Sequence, residues 1–234
     1  MLSGGIGPVL AVDEAPNPWF DAGWAIDNWA IIMPLVGQHV RLTVISVLIG
    51  AVIALPLALL ARRSRLLTGP VLGLSTIVYT IPSLAMFAFI SPFTGLSETT
   101  VIIGLVLYSL VILVRNFLAG LQAVPPDVRE AARGMGYGTG RLFLQVELPL
   151  ALPAFLTGLR IATVSTVALV TVGVIVGQGG LGQLIIVNGF GANYYRPPIV
   201  FGTVACVVLA LVADQALALA GRLATPWTRA RSAT

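Results

Sequence analysis

Long uncharged stretches, separated by short charged clusters, dominate the pattern of hydrophobic and polar positions. A membrane-crossing helix needs about 20 mostly apolar residues. Leu42–Ala61 is an uncharged run of 20, and Leu66–Ser91 is one of 26, interrupted only by Pro70 and Pro82. Thr99–Val114 continues past Arg115 to about residue 120, and an arginine close to an interface can snorkel. Ile161–Tyr195 is uncharged for 35 residues, enough for a crossing and a glycine-rich segment. Pro197–Ala213 continues past Asp214 to Gly221. This pattern predicts five spans, at roughly 40–61, 70–91, 99–119, 154–177 and 198–220, and therefore an all-α polytopic membrane protein.

Charge placement orients the spans. Arg62, Arg63 and Arg65 follow the first, Arg129, Arg133 and Arg141 lie between the third and fourth, and Arg222, Arg229 and Arg231 follow the fifth. With five spans all three clusters fall on one side, which the positive-inside rule makes cytoplasmic. The other side holds an acidic N-terminal tail, Glu98 and the 178–197 segment with Arg196. The expected topology is N-terminus outside and C-terminus inside. The expected organisation is an outer tail at 1–37, a membrane domain at 38–222 with a cytoplasmic loop at 121–153, and a cytoplasmic tail at 223–234. Asp13, Glu14, Asp21 and Asp27 stand where a signal peptide would have a basic n-region. Trp19, Trp24 and Trp29, with Phe20, Ile26, Ile31 and Ile32, fit either a short interfacial helix or a loosely packed tail.

Composition narrows the function. Of 234 residues, 57% are apolar and 9% charged, whereas soluble domains carry about a quarter charged residues. A soluble enzyme is excluded. Every basic residue is arginine, and the formal net charge of +4 follows from topology rather than from nucleic acid. The single cysteine, Cys206, allows no intrachain disulfide and argues against structural zinc or an iron–sulfur cluster. The lone His39 has no metal-ligand pattern around it. No G-x-x-x-x-G-K-[ST] motif occurs, and the absence of lysine removes any Walker lysine. No nucleophile–base–acid set is legible either, so the chain is expected to be no enzyme and to hold no cofactor or metal.

The loop between the third and fourth spans has its own design. Pro126 suits a first helical turn, with Asp127 close behind. Val128, Ala131, Ala132 and Met135 share one helical face. Gly134, Gly136, Gly138 and Gly140 then weaken the helix. Thr139 is placed to cap a second short helix through 141–146, and Pro149 and Pro153 precede the fourth span. Physically, such a helix fits either a groove in another protein or an anionic lipid surface.

These residues resemble a known motif. Glu130-Ala131-Ala132, three residues, Gly136, nine residues, Val146, one residue and Leu148-Pro149 is similar to the EAA loop of ABC importer permeases, with Val146 where isoleucine is usual. The resemblance implies a five-helix type I importer fold of the methionine-permease kind. It also implies that Glu130, Ala131, Ala132, Gly136, Val146, Leu148 and Pro149 couple the chain to a separate ATPase. The expected partners are two ATPase subunits carrying ATP and Mg²⁺, a second permease protomer, an extracytoplasmic substrate-binding protein and the lipid of a bacterial cell membrane. Tyr79–Gly95, the stretch REAARGMG and VELPLALPAFLTGLRIATV, and Gly177–Ile185 resemble permeases for glycine betaine, carnitine and choline, with Gln178 replacing the usual alanine. The implied function is osmoprotectant import, with methionine or another amino acid as the alternative substrate.

Inside the spans, Thr76, Tyr79, Thr80 and Ser83 follow i, i+3, i+4, i+7 spacing beside the helix-breaking Pro82. Such a stripe lines a translocation path or makes interhelical hydrogen bonds. Thr163 and Thr166, with Tyr108 and Ser109, are weaker path candidates. Arg115, Arg160 and Asp214 read as snorkelling groups or ion pairs. Gly177, Gly179, Gly180 and Gly182 are expected to form an outer turn or gate, on a face that would meet the binding protein.

Overall fold

The computed structural model describes residues 17–227, and the elements there are all helical. We number them α1 (Ala22–Asp27), α2 (Trp29–Arg63), α3 (Arg65–Thr80), α4 (Ser83–Thr94), α5 (Glu98–Gln122), α6 (Pro126–Gly134), α7 (Thr139–Val176), α8 (Gly182–Ile185) and α9 (Arg196–Ala224). Four of them, α2, α5, α7 and α9, are long and apolar enough to cross a membrane, and the bent pair α3–α4 supplies a fifth crossing when taken as one span. Asp13, Glu14, Arg229 and Arg231 lie outside the described residues.

The bundle is built on α2, α5 and α7. In one half Ala54, Ala58 and Ala61 of α2 pack with Leu113, Phe117 and Leu121 of α5 and with Ala151 and Phe155 of α7. Phe117 and Phe155 stack with centroids 4.4 Å apart. Small residues set the spacing, as membrane helices require where no hydrophobic driving force separates helix from lipid. A methyl group added at Gly158 of α7 would come within 2.6 Å of Asn116 on α5. In the other half Leu42, Phe87, Val101, Leu105 and Val170 form a second cluster, which brings α4 into the bundle.

Three expectations change. The second span, expected at 70–91, is broken: α3 and α4 meet at 95°. Pro82 disfavours the α conformation for the residue before it, and Ile81 is extended at φ −66°, ψ 127°. The Tyr108 hydroxyl donates to the Ile81 carbonyl, satisfying a group that the break leaves free.

The fourth span, expected at 154–177, begins at Thr139. Phe143–Glu147 is a π turn, and the Leu148 N–H donates to the Phe143 carbonyl. This widening just before Pro149 absorbs the missing N–H and the ring clash that proline brings to a helix. The second short helix of the loop is thus the start of the span. Its N-cap is Gly138, and Thr139 is its first residue with no capping bond.

The helix near the N-terminus, α1, is six residues long and excludes Trp29, Ile31 and Ile32, which belong to α2. Asp21 accepts from the Trp24 N–H at 3.0 Å and caps it. Trp19, Phe20 and Ile26 are exposed, while Trp24 meets Phe201 of α9 edge to face.

Candidate functional site

The loop helix α6 is defined at both ends by its sequence. Pro125 is extended at ψ 138°, and Pro126 occupies the first turn, where a missing N–H costs nothing. At the far end the Gly136 N–H donates to the Arg133 carbonyl at 2.9 Å, and the Tyr137 N–H to the Ala132 carbonyl at 3.1 Å. This is a Schellman stop, and it demands a left-handed residue; Gly136 supplies it at φ +82°. Glu130 and Ala131 are exposed, whereas Ala132 is buried against the protein. Val146, Leu148 and Pro149 lie half-buried along the π turn and the start of the following α segment.

Glu147, between those last residues, is 2% exposed. Its Oε1 lies 2.7 Å from Nη2 of Arg62, in the last turn of α2, and 3.0 Å from Nε of Arg129 on α6. Arg129 also donates to the Leu121 carbonyl of α5 at 2.5 Å. One carboxylate thus ties the loop helix to α2 and α7, while Arg129 ties it to α5. Beside it opens a cavity of ≈ 480 Å³ lined by Leu59, Arg62, Arg133, Tyr137 and Phe143.

The break between α3 and α4 opens a second cavity, of ≈ 470 Å³, lined by Tyr79, Thr80, Ser83, Tyr108, Ser165 and Leu169. The expected polar stripe therefore divides. Tyr79, Thr80 and Ser83 converge on the cavity from two helices, with Tyr79 and Tyr108 edge to face at 5.8 Å. Thr76 stays on α3 and accepts from Arg115 at 2.8 Å. Thr163 and Thr166 are buried inside the bundle, and the cavity is met instead by Ser165, one helical face away.

At the other end of the bundle the glycine segment folds back on α7. Gly177 and Gly180 have φ +73° and +51°. Side chains of α2 hold the fold: the Gly180 N–H donates to Gln38 Oε1 at 3.1 Å, and the Leu181 N–H to His39 Nδ1 at 3.2 Å. The other ring nitrogen of His39 then carries the proton and donates to the Val167 carbonyl at 3.0 Å. Gln178 accepts from Gln38 at 2.6 Å, and Arg41 pairs with Glu98 next to them. Between α7 and α9, Arg160 grips Asp214 with two bonds of 2.8 and 2.7 Å.

The family described as the binding-protein-dependent transport system inner membrane component matches residues 46–223. The chain belongs to this family. This permease is 34% identical over 190 residues to the choline transport system permease protein OpuBB of Bacillus subtilis, covering 81% of its own chain and 86% of the relative. It is 34% identical over 191 residues to the glycine betaine/carnitine/choline transport system permease protein OpuCB of the same organism, covering 81% and 87%. Its fold is that of type I importer permeases. A chain from an inward-facing structure of the MetNI methionine ABC transporter superposes with a TM-score of 0.77 at 24% identity, covering 85% of the permease and 98% of that chain.

Sequence reasoning did not single out Glu147, Ser165 or Gln38, and it read Arg62 only as a member of a topology-setting arginine cluster. The acid occupies the unspecified position between Val146 and Leu148, so motif spacing carried no signal for it. Ser165 belongs with Ala168 and Leu169 to a small face at i, i+3, i+4, a weak signal beside the more polar threonines.

Proposed function

We propose that this permease is the membrane subunit of an ATP-driven importer of quaternary-amine osmoprotectants: glycine betaine, carnitine or choline. The carrying observation is family membership combined with about one-third identity, across four-fifths of the chain, to permeases named for those substrates. Two ATPase subunits binding ATP and Mg²⁺, a second permease protomer, identical or homologous, and an external binding protein complete the machine. Glu130 and Ala131 seat in the ATPase, and Gly136 forms the turn behind them. ATP-driven closure of the ATPase pair moves α6, and the two protomers switch between inward- and outward-open states. Tyr79, Thr80 and Ser83 line the path at the broken span, and the Gly177–Gly182 turn serves as the outer gate facing the binding protein.

The substrate assignment is tested on the native complex, with binding measured on its co-purifying external protein. Glycine betaine, choline or carnitine is expected to bind and to stimulate hydrolysis; a preference for methionine instead would assign an amino-acid importer.

In the proposed topology the N-terminus faces outward and the C-terminus the cytoplasm. Leu96 and Met135 are both exposed, at 72% and 70%. In a Cys206→Ser background, Leu96→Cys is expected to react with an impermeant maleimide on intact cells, and Met135→Cys only after permeabilisation. Labelling of both from outside would overturn this topology.

A further inference from the structure

Glu147 lies outside the loop residues that meet the ATPase in the reading above, yet it is the point where that loop joins the membrane helices. Its carboxylate is buried, and one oxygen is shared by guanidinium groups from α2 and α6. The Arg62 contact is a hydrogen bond of 2.7 Å, whereas Arg129 pairs with the same oxygen by charge alone, its Nε at 3.0 Å without a hydrogen bond; removing one member of such a pair leaves the remaining buried charge uncompensated. A backbone bond from Arg129 to Leu121 fixes the same arginine to α5. The charged ties from the three helices of the bundle core to α6 therefore run through three side chains, Arg62, Arg129 and Glu147. α6 also packs on the protein through buried Ala132, and it is joined to the spans by the Val124–Pro125 link at one end and the 135–138 turn at the other. The π turn carrying Glu147 lies within the continuous helix α7.

We propose that Glu147 is the positioning residue that makes the loop helix and the spans move as one body. Movement of α6 is then transmitted to α2 and α7 through the shared carboxylate rather than lost in the glycine turns. The proposal rests on the coupling reading of α6. If the carboxylate only neutralised these half-buried arginines, its loss would reduce the amount of folded protein but leave the surviving complexes fully coupled.

The test uses the complete complex in vesicles with its binding protein. Glu147→Gln is expected to retain the ATPase in a pull-down and to retain basal hydrolysis. Transport and binding-protein stimulation should fall about tenfold, within the usual range of coupling between sites. Glu147→Asp, which keeps the charge, is expected to recover most of the stimulation. Glu147→Gln with full stimulation per assembled complex would overturn the proposal.

Should the glutamine variant fail to assemble, Arg129→Cys and Glu147→Cys in a Cys206→Ser background decide the matter. Bridging the pair with a short bis-methanethiosulfonate should restore transport over the unbridged protein, and no gain on bridging would overturn the proposal. The coupling reading has a separate readout: substitutions at Glu130 and Gly136 damage transport whether or not Glu147 matters.

Discussion

Glu130→Ala combined with Gly136→Val is expected to abolish transport and binding-protein-stimulated ATP hydrolysis while the spans remain inserted. Gly136 contributes most of this effect. Its φ of +82° is required by the Schellman stop, and a Cβ there would meet nothing within 4 Å, so the penalty is one of backbone conformation alone. For an L-residue that penalty is roughly 1–2 kcal/mol, and a β-branched side chain sits at the unfavourable end. Valine therefore releases the two terminating bonds and reorients the loop helix. Exposed Glu130 offers a rim ion pair worth about 0–1 kcal/mol, so Glu130→Ala alone should lower transport mildly. Gly136→Asn should be the best tolerated change at that site, because asparagine visits the left-handed region more readily than other residues. The measurements are transport and stimulated hydrolysis in vesicles beside an ATPase pull-down. A double variant with unchanged assembly, transport and stimulation would show that this loop is not the coupling element.

Apolar run length located the crossings because the bilayer imposes one length on every helix, whatever it packs against. It failed where backbone geometry, rather than polarity, decides. The Leu66–Ser91 stretch has uniform composition, and proline alone does not announce a break: Pro34 and Pro56 lie inside α2, and Pro153 inside α7. Pro82 differs because Ile81 turns extended and Tyr108, from another helix, takes up the free carbonyl. That compensating donor is 27 residues away in sequence. A helical periodicity drawn through Pro82 therefore grouped Ser83 with Thr76, although the two lie on helices that meet at 95°.

The same distinction separates the parts of the candidate site that were legible from those that were not. The loop helix was legible because its signals are local: Pro126 at its start and Gly136 at its stop. The glycine cluster at 177–182 likewise announced a turn. The tie at Glu147 was invisible because it joins positions 62, 129 and 147, which only the fold brings together. Thr163 and Thr166 drew attention as polar residues in a span, yet Thr163 bonds the Leu159 carbonyl of its own helix. A threonine can satisfy its hydroxyl in this way and pack inward, so polarity alone does not identify the helix face that meets a cavity.

At the glycine turn, Gly182→Ala is expected to be far more damaging than Gly177→Ala. The two glycines answer different demands. Gly177 has φ +73° but open space around the position of a Cβ, so alanine costs roughly 1–2 kcal/mol of backbone strain. Gly182 sits in α8 with ordinary helical geometry, but a Cβ there would lie 2.4 Å from the Thr171 carbonyl oxygen and 2.6 Å from the Thr171 Cα. These are backbone atoms at the end of α7 and cannot rotate aside. Overpacking in a core usually costs about 1–3 kcal/mol, and a backbone collision without a yielding side chain belongs at or above the top of that range. Relief requires the 177–182 segment to lift away from α7, which breaks the bonds from Gly180 to Gln38 and from Leu181 to His39. Gly182→Ala should therefore lower the thermal stability of the purified permease and free the turn, making a cysteine introduced at Gln178 more reactive towards a maleimide. Gly177→Ala should lower stability by a smaller amount and leave Gln178→Cys reactivity close to that of the parent. Equal stability and equal reactivity for the two alanine variants would mean that dihedral strain, rather than close packing on α7, governs this turn.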